Sequence, residues 1–151
     1  AELIVTDINE ETLERAKSEL DATVVGLDEI YGVDADIYAP CALGATINDE
    51  TLKQLKCKII AGSANNQLAN PKHDKVVKDM GILYAPDYVI NAGGVIHVCS
   101  EAADMSLEET DKRVHDIYNT LDKLFARAKE EDRPTGELAD QMAREIIANA
   151  K

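Results

Sequence analysis

The feature that most constrains the fold is a repeated alternation of short apolar runs with helical segments. Continuous apolar runs are typical of strands buried on both faces, and their alternation with helices predicts a parallel sheet with helical crossovers. The sequence therefore predicts an α/β fold. The predicted strands cover residues 3–5, 22–25, 36–39, 58–61 and 82–85.

Capping signals and helical periodicity place the helices between and after these strands. Asn9 is a predicted N-cap, and Ser106 forms a capping box with Glu109 at the start of a long helix. Further helices are predicted over residues 48–55, carrying Leu52 and Leu55, over residues 71–79, and from Pro134 onward. We expect two parts: an α/β part over 1–104 and a helical pair over 105–151 that packs on it.

Composition narrows the function classes. The formal net charge of −13 disfavours partners with repeated phosphates, so we expect neither nucleic acid nor an anionic membrane surface as a partner. The three cysteines are widely spaced and form no CxxC pair, which predicts no disulfide framework and no metal site and fits a reducing cytoplasm. His73 and His115 lie among charged residues and are predicted to be solvated, as is the run 72–75.

Small residues and amides follow the predicted strands, where the carboxyl ends of a parallel sheet form a ligand-binding edge. Asp7 ends the first strand and either binds the two ribose hydroxyls of adenosine or caps the next helix. Cys41 is interpreted as a small residue that lines a ligand and not as a nucleophile, because no His or acid lies near it in sequence. The pair Asn65–Asn66 is either turn chemistry or a ligand contact.

Three stretches together resemble the cofactor-binding domain of amino-acid dehydrogenases. They are IYAPCALG (37–44), KIIAGSANNQL (58–68) and GILYAPDYVINAGGVI (81–96). The resemblance is to the leucine/phenylalanine/valine branch of the glutamate dehydrogenase superfamily. It implies a Rossmann-like doubly wound sheet, with residues 1–104 as a partial dinucleotide-binding domain. The activity that it implies is reversible oxidative deamination of an apolar L-amino acid to a 2-oxo acid and ammonia. It also implies NAD as cofactor and a homo-oligomer.

The same resemblance implies roles for particular residues. Asp7 would bind the adenosine ribose, with Ile8 beside the adenine, and Cys41 and Ala42 would line the nicotinamide half. Ala64 and Asn65 would contact the nicotinamide ribose, and Asn66 would reach the amino-acid end of the substrate. Val95 and Val98 would form part of the apolar substrate pocket. No residue of this chain matches the catalytic lysines and aspartate of the family.

Two departures from the family pattern bear on these expectations. His97 stands between the pocket valines where the family pattern leads us to expect Asn, which bears on substrate specificity. The Gly-rich turn of the first strand–helix unit is not present in these 151 residues. We therefore expect a doubly wound sheet missing its first strand, and a chain that is inactive and not self-sufficient by itself. The alternatives are a non-catalytic nucleotide-binding or regulatory module, or a purely structural domain.

Overall fold

The computed structural model describes residues 1–150. Short strands alternate with helices along the first part of the chain, and longer helices follow. The strands are β1 Ile4–Val5, β2 Thr23–Val24, β3 Ile37–Tyr38, β4 Ile59–Ile60 and β5 Leu83–Tyr84. The helices are α1 Glu10–Leu20, α2 Lys72–Asp79, α3 Asp87–Ile90, α4 Gly93–Ala102, α5 Leu107–Glu131 and α6 Thr135–Asn149, with a 3₁₀ turn at Ile30–Gly32.

All strand pairs are parallel, and they form two separate sheets. The strand β1 pairs with β2, and β3, β4 and β5 form a second sheet with β4 in its centre. Within residues 1–150 no strand joins the two sheets. In the Rossmann order 3-2-1-4-5-6, the central strand separates these two groups. The predicted α/β fold, a parallel sheet without its first strand, is confirmed in this arrangement.

Two apolar clusters form the interior. The first lies between the second sheet, α2 and the turns over residues 48–55, and includes Ile47, Ile60 and Val77. The second joins α5 to α6 through Leu124 and Leu138. By contrast, α1 buries no residue. Most of the apolar burial therefore lies in the second sheet and the helices that cover it.

The capping predictions are confirmed, whereas one helix was predicted wrongly. The Asn9 side chain accepts from the Thr12 N–H, and Ser106 forms the reciprocal capping box. Residues 49–54 are turns: the Asn48 side chain accepts from the Glu50 and Thr51 N–H groups as a cap would, but only isolated i→i+4 backbone bonds follow, from Leu52 to Asn48 and from Leu55 to Thr51, so no continuous helix forms. Leu52 is nevertheless buried, so the apolar pattern correctly identified a core-facing segment.

The exposed face predicted for residues 72–75 is wrong at His73. The residue is 2% exposed, with Nδ1 accepting from the Asn70 N–H at 3.1 Å and Nε2 lying 3.1 Å from an Asp49 oxygen. His115, in contrast, is exposed as predicted. Partners at both ring nitrogens explain how an imidazole is accommodated in this interior position.

The prediction is also wrong at Asp74, which is buried and binds the start of α6. Its carboxylate accepts from the N–H groups of Gly136 at 3.2 Å and Glu137 at 3.0 Å. The Thr135 hydroxyl donates to the carbonyl of Tyr84 at 2.8 Å. Burial raises the pKa of Asp74, while the two backbone donors act in the opposite direction. These hydrogen bonds hold the start of α6 against α2 and β5.

Candidate functional site at the strand ends

The residues predicted to bind a ligand follow the carboxyl ends of β1, β3 and β4 or lie on α4. Most of them are exposed: Ile8 is 88% exposed, Val95 62% and Val98 63%. Asp7, Cys41, Ala42, Asn65 and Asn66 are exposed as well. Ala64 is the exception, since it is 5% exposed and its N–H donates to the Pro40 carbonyl at 2.9 Å.

Asp7 lies just outside α1 and is not its cap. One carboxylate oxygen accepts from the Asn9 N–H at 2.8 Å, and Asn9 in turn caps the helix. The capping role that the sequence left open for Asp7 therefore belongs to Asn9. The Asp7 carboxylate is exposed beside the positive end of the α1 dipole. Its ribose-binding role stays a prediction.

The loop after β4, residues 62–67, is held from inside the protein. The buried Gln67 amide donates to the carbonyls of Gly62 at 2.8 Å and Ala64 at 3.0 Å. The Asn91 amide donates to the Ser63 carbonyl at 2.7 Å and to the Asn65 side-chain oxygen at 2.8 Å. With its oxygen bound in this way, Asn65 presents its NH₂ group, a donor, to any ligand.

Asn66 occupies a left-handed backbone conformation at φ 53°. Its N–H donates to Oδ2 of Asp87 at 2.8 Å, while the Tyr84 hydroxyl donates to Oδ1 at 2.9 Å. Asp87 is buried. Burial, together with this neighbouring carboxylate, raises the pKa of Tyr84, so its hydroxyl remains a donor across the neutral range.

The loop after β3 packs against the loop after β4. A Cβ on Gly44 would lie 2.7 Å from the carbonyl oxygen of Asn65 and 2.9 Å from that of Asn66. Ala45, with φ 56°, donates its N–H to the Asn66 carbonyl at 2.7 Å. Cys41 precedes these residues as an exposed free thiol. Two loops from neighbouring strands therefore form one continuous rim.

Helix α4 presents apolar side chains to solvent. Val95 and Val98 lie on it, and His97 Nε2 is 4.0 Å from a carboxylate oxygen of Glu101, one turn further along. A Cβ on Gly94 would meet no atom within 4 Å, so close helix packing does not require a glycine at this position. An exposed apolar helix face beside the amide rim has the composition expected of part of a pocket for an apolar side chain.

In the range of residues 1–150, no group of three or more His, Cys, Asp or Glu side chains lies close enough together to hold a metal ion. None of the helices in that range has both the length and the apolar character needed to cross a bilayer.

Parallel strands that alternate with helices, in two groups that correspond to the two sides of the central strand in the order 3-2-1-4-5-6, place the chain in the Rossmann-type α/β class. The chain belongs to the Glutamate/Leucine/Phenylalanine/Valine dehydrogenase family, whose model matches residues 1–151. That family consists of nicotinamide-dependent oxidoreductases. The family resemblance drawn from the sequence motifs is confirmed.

Individual relatives show the same affiliation. The chain is 55% identical over 151 residues to a leucine dehydrogenase of Bacillus cereus, covering all of this chain and 41% of the relative. It is 43% identical to a valine dehydrogenase of Streptomyces albus, covering all of this chain and 42% of that protein. The crystal structure of an L-tryptophan dehydrogenase from Nostoc punctiforme superimposes with a TM-score of 0.93 at 46% identity, covering 98% of this chain and 45% of that one. The chain thus spans less than half the length of these relatives.

Sequence reasoning assigned no role to Gln67, Asp87 or Asn91, which hold the rim loops. Asp87 and Asn91 follow β5, and Gln67 follows the amide pair, so their positions at strand ends were visible. The signal that could have identified Asp87 is an acid directly after a proline that ends a buried strand. Its target, the Asn66 N–H, lies 21 residues away and is apparent only in the fold.

Proposed function

We propose that this chain is the NAD-binding part of an amino-acid dehydrogenase that oxidatively deaminates an apolar L-amino acid. The observation that supports this most strongly is the rim of residues 62–67, where a braced amide pair lies beside an exposed apolar helix face. A hydrogen-bonding loop next to an apolar surface suits a substrate with a polar amino-acid end and an apolar side chain.

The residues at the rim fit a dinucleotide. The exposed Asp7 carboxylate uses one oxygen for the Asn9 N–H, and its remaining acceptor capacity suits two ribose hydroxyls. The same negative charge would repel a 2′-phosphate, which favours NAD over NADP. The glycines at 44 and 62 let the loops after β3 and β4 approach each other closely, because a Cβ at either position would lie within 3 Å of backbone atoms of the other loop.

Each remaining residue would then bind or orient a part of the ligands. Ile8 covers the adenine, and Cys41 with Ala42 lines the nicotinamide half. Ala64 and Asn65 border the nicotinamide ribose, with the NH₂ of Asn65 as donor. When bound, NAD supplies the hydride acceptor for the reaction.

Asn66 would bind the amino-acid end of the substrate, while Val95 and Val98 contact its side chain. Burial of an apolar substrate surface there stabilises binding by about 25 cal/mol per Å². Acid–base catalysis is assigned to no residue of this chain in this proposal. We further propose a homo-oligomer and a cytoplasmic location, the latter consistent with three unpaired cysteine thiols.

The complete natural protein tests the proposal directly. With NAD and a panel of leucine, valine, phenylalanine and tryptophan, we expect absorbance at 340 nm to rise with at least one of them. Substitution of NADP for NAD should greatly reduce the rate. Binding of NAD without turnover on any of the four would instead favour the alternative, a non-catalytic nucleotide-binding or regulatory module.

A further inference from the structure

The main-chain geometry of Asn66 is fixed on both sides of the residue. Its N–H donates to Oδ2 of Asp87 at 2.8 Å, and its carbonyl accepts from the Ala45 N–H at 2.7 Å. Both Asn66 and Ala45 have left-handed φ values, 53° and 56°. Asparagine adopts this conformation more readily than most non-glycine residues, although the left-handed region stays less favourable than the right-handed one. The two bonds stabilise this conformation at Asn66 and thereby help to set the direction of its side chain.

Asp87 is well suited to hold the backbone of Asn66 because it is buried beneath the rim, outside the reach of a ligand. Asp87 is 8% exposed. Its two carboxylate oxygens have separate partners, the Asn66 N–H and the Tyr84 hydroxyl. A carboxylate offers two acceptors, so Tyr84 does not compete with Asn66. Bonds to a charged acceptor are also stronger than bonds between neutral groups.

We propose that Asp87 is a positioning residue that holds Asn66 in its left-handed conformation and thereby orients the Asn66 amide toward the amino-acid end of the substrate. This inference rests on the function proposed above. Asn65 is held separately, through Asn91. The effect of losing Asp87 should therefore fall on the amino-acid substrate much more than on NAD.

The test uses variants of the complete natural protein that separate the two oxygens of Asp87. Tyr84→Phe removes the hydroxyl but leaves the bond to Asn66, and it is the matched control. Tyr84→Phe/Asp87→Ala removes the carboxylate without leaving a buried hydroxyl unpaired, which favours folding. Asp87→Asn is the conservative variant, because its oxygen can accept from Asn66 while its NH₂ donates to the Tyr84 oxygen.

Amide hydrogen exchange reports the contact without relying on activity. Relative to Tyr84→Phe, the double variant should exchange the Asn66 amide at least about tenfold faster. The Ala64 amide, which donates to the Pro40 carbonyl, is the internal reference and should not change. Equal exchange of Asn66 in these two proteins would overturn the proposal.

Kinetics test the consequence for substrate. We expect the double variant to raise KM for the amino acid at least about tenfold over Tyr84→Phe, with KM for NAD within about threefold, and Asp87→Asn to lie close to wild type. Unchanged amino-acid KM, or an equal loss in Tyr84→Phe, would refute the positioning role. If the wild type turned over no amino acid while exchange at Asn66 still responded, the proposed function and the substrate role would fail together, but the backbone contact would stand.

Discussion

Replacement of Gly62 by alanine should displace the rim at its base. Gly62 follows β4 and is buried against Pro40, which follows β3. A Cβ at position 62 would lie 2.6 Å from the Pro40 nitrogen and 2.7 Å from its carbonyl carbon, whereas real Cβ contacts of this kind do not fall below 3.0 Å. The Pro40 carbonyl oxygen would lie closer still, and all three obstacles are backbone atoms, so no side chain can move aside. The two strand ends must therefore separate by more than about 0.4 Å, the shortfall at the Pro40 nitrogen alone.

The energetic cost follows from overpacking in a buried place. Such changes cost about 1–3 kcal/mol, and we expect Gly62→Ala to lower the free energy of unfolding by that amount. The bond from the Ala64 N–H to the Pro40 carbonyl, at 2.9 Å, would be stretched by the same displacement. Because this bond anchors the loop that carries Asn65, we also expect kcat/KM to fall by about 10- to 100-fold.

The assay compares Gly62→Ala with Gly32→Ala in the complete natural protein. A Cβ at Gly32 would meet no atom within 4 Å, so this control adds the same methyl group without a clash. Urea unfolding measures stability, and steady-state kinetics measure the effect on the site. If Gly62→Ala unfolded at the same urea concentration as Gly32→Ala and retained its kcat/KM, the close approach of these two loops would not constrain the rim as described.

Two further predictions concern charged residues. Asp74→Ala should lower stability by about 0.5–2 kcal/mol, because it removes the acceptor for the N–H groups of Gly136 and Glu137. Burial raises the folded pKa of Asp74 above 3.8, so its contribution is largest below pH 3.8 and declines as pH rises through the folded value. Asp74→Asn should abolish that pH dependence in thermal unfolding, and an unchanged profile would contradict it. Asp7→Ser should weaken NAD binding by about 1–3 kcal/mol in calorimetry, and an unchanged Kd would exclude the ribose role.

The sequence correctly predicted the features that depend on residues close together along the chain, namely the helix caps and the strands. The caps at Asn9 and Ser106 are correct because their partners lie three residues away. The apolar runs likewise identified all five strands, though each is only two residues long by backbone pairing. In both cases the deciding interaction is local or is expressed directly in the hydrophobic pattern.

The sequence failed where the partner lies far along the chain. His73 and Asp74 have charged neighbours and therefore suggest a solvated surface, but their partners lie 24 and 62 residues away, at Asp49 and Gly136. The turns at 49–54 were predicted as a helix because the apolar spacing of Leu52 and Leu55 marks a core-facing segment but does not show whether the i→i+4 backbone bonds are continuous. At the candidate site, the sequence showed the amide pair Asn65–Asn66. It did not show that the Asp87 carboxylate binds this pair, because Asn66 and Asp87 lie 21 residues apart.

We propose that the ends of β1, β3 and β4 form one binding site for NAD. Hydrogen exchange of the complete natural protein, measured with and without saturating NAD, tests it most directly. We predict that NAD slows exchange together in segments 7–9, 41–45 and 62–67 and leaves the middle of α5 unchanged. Saturating NAD that slows exchange in none of these three segments would contradict the account.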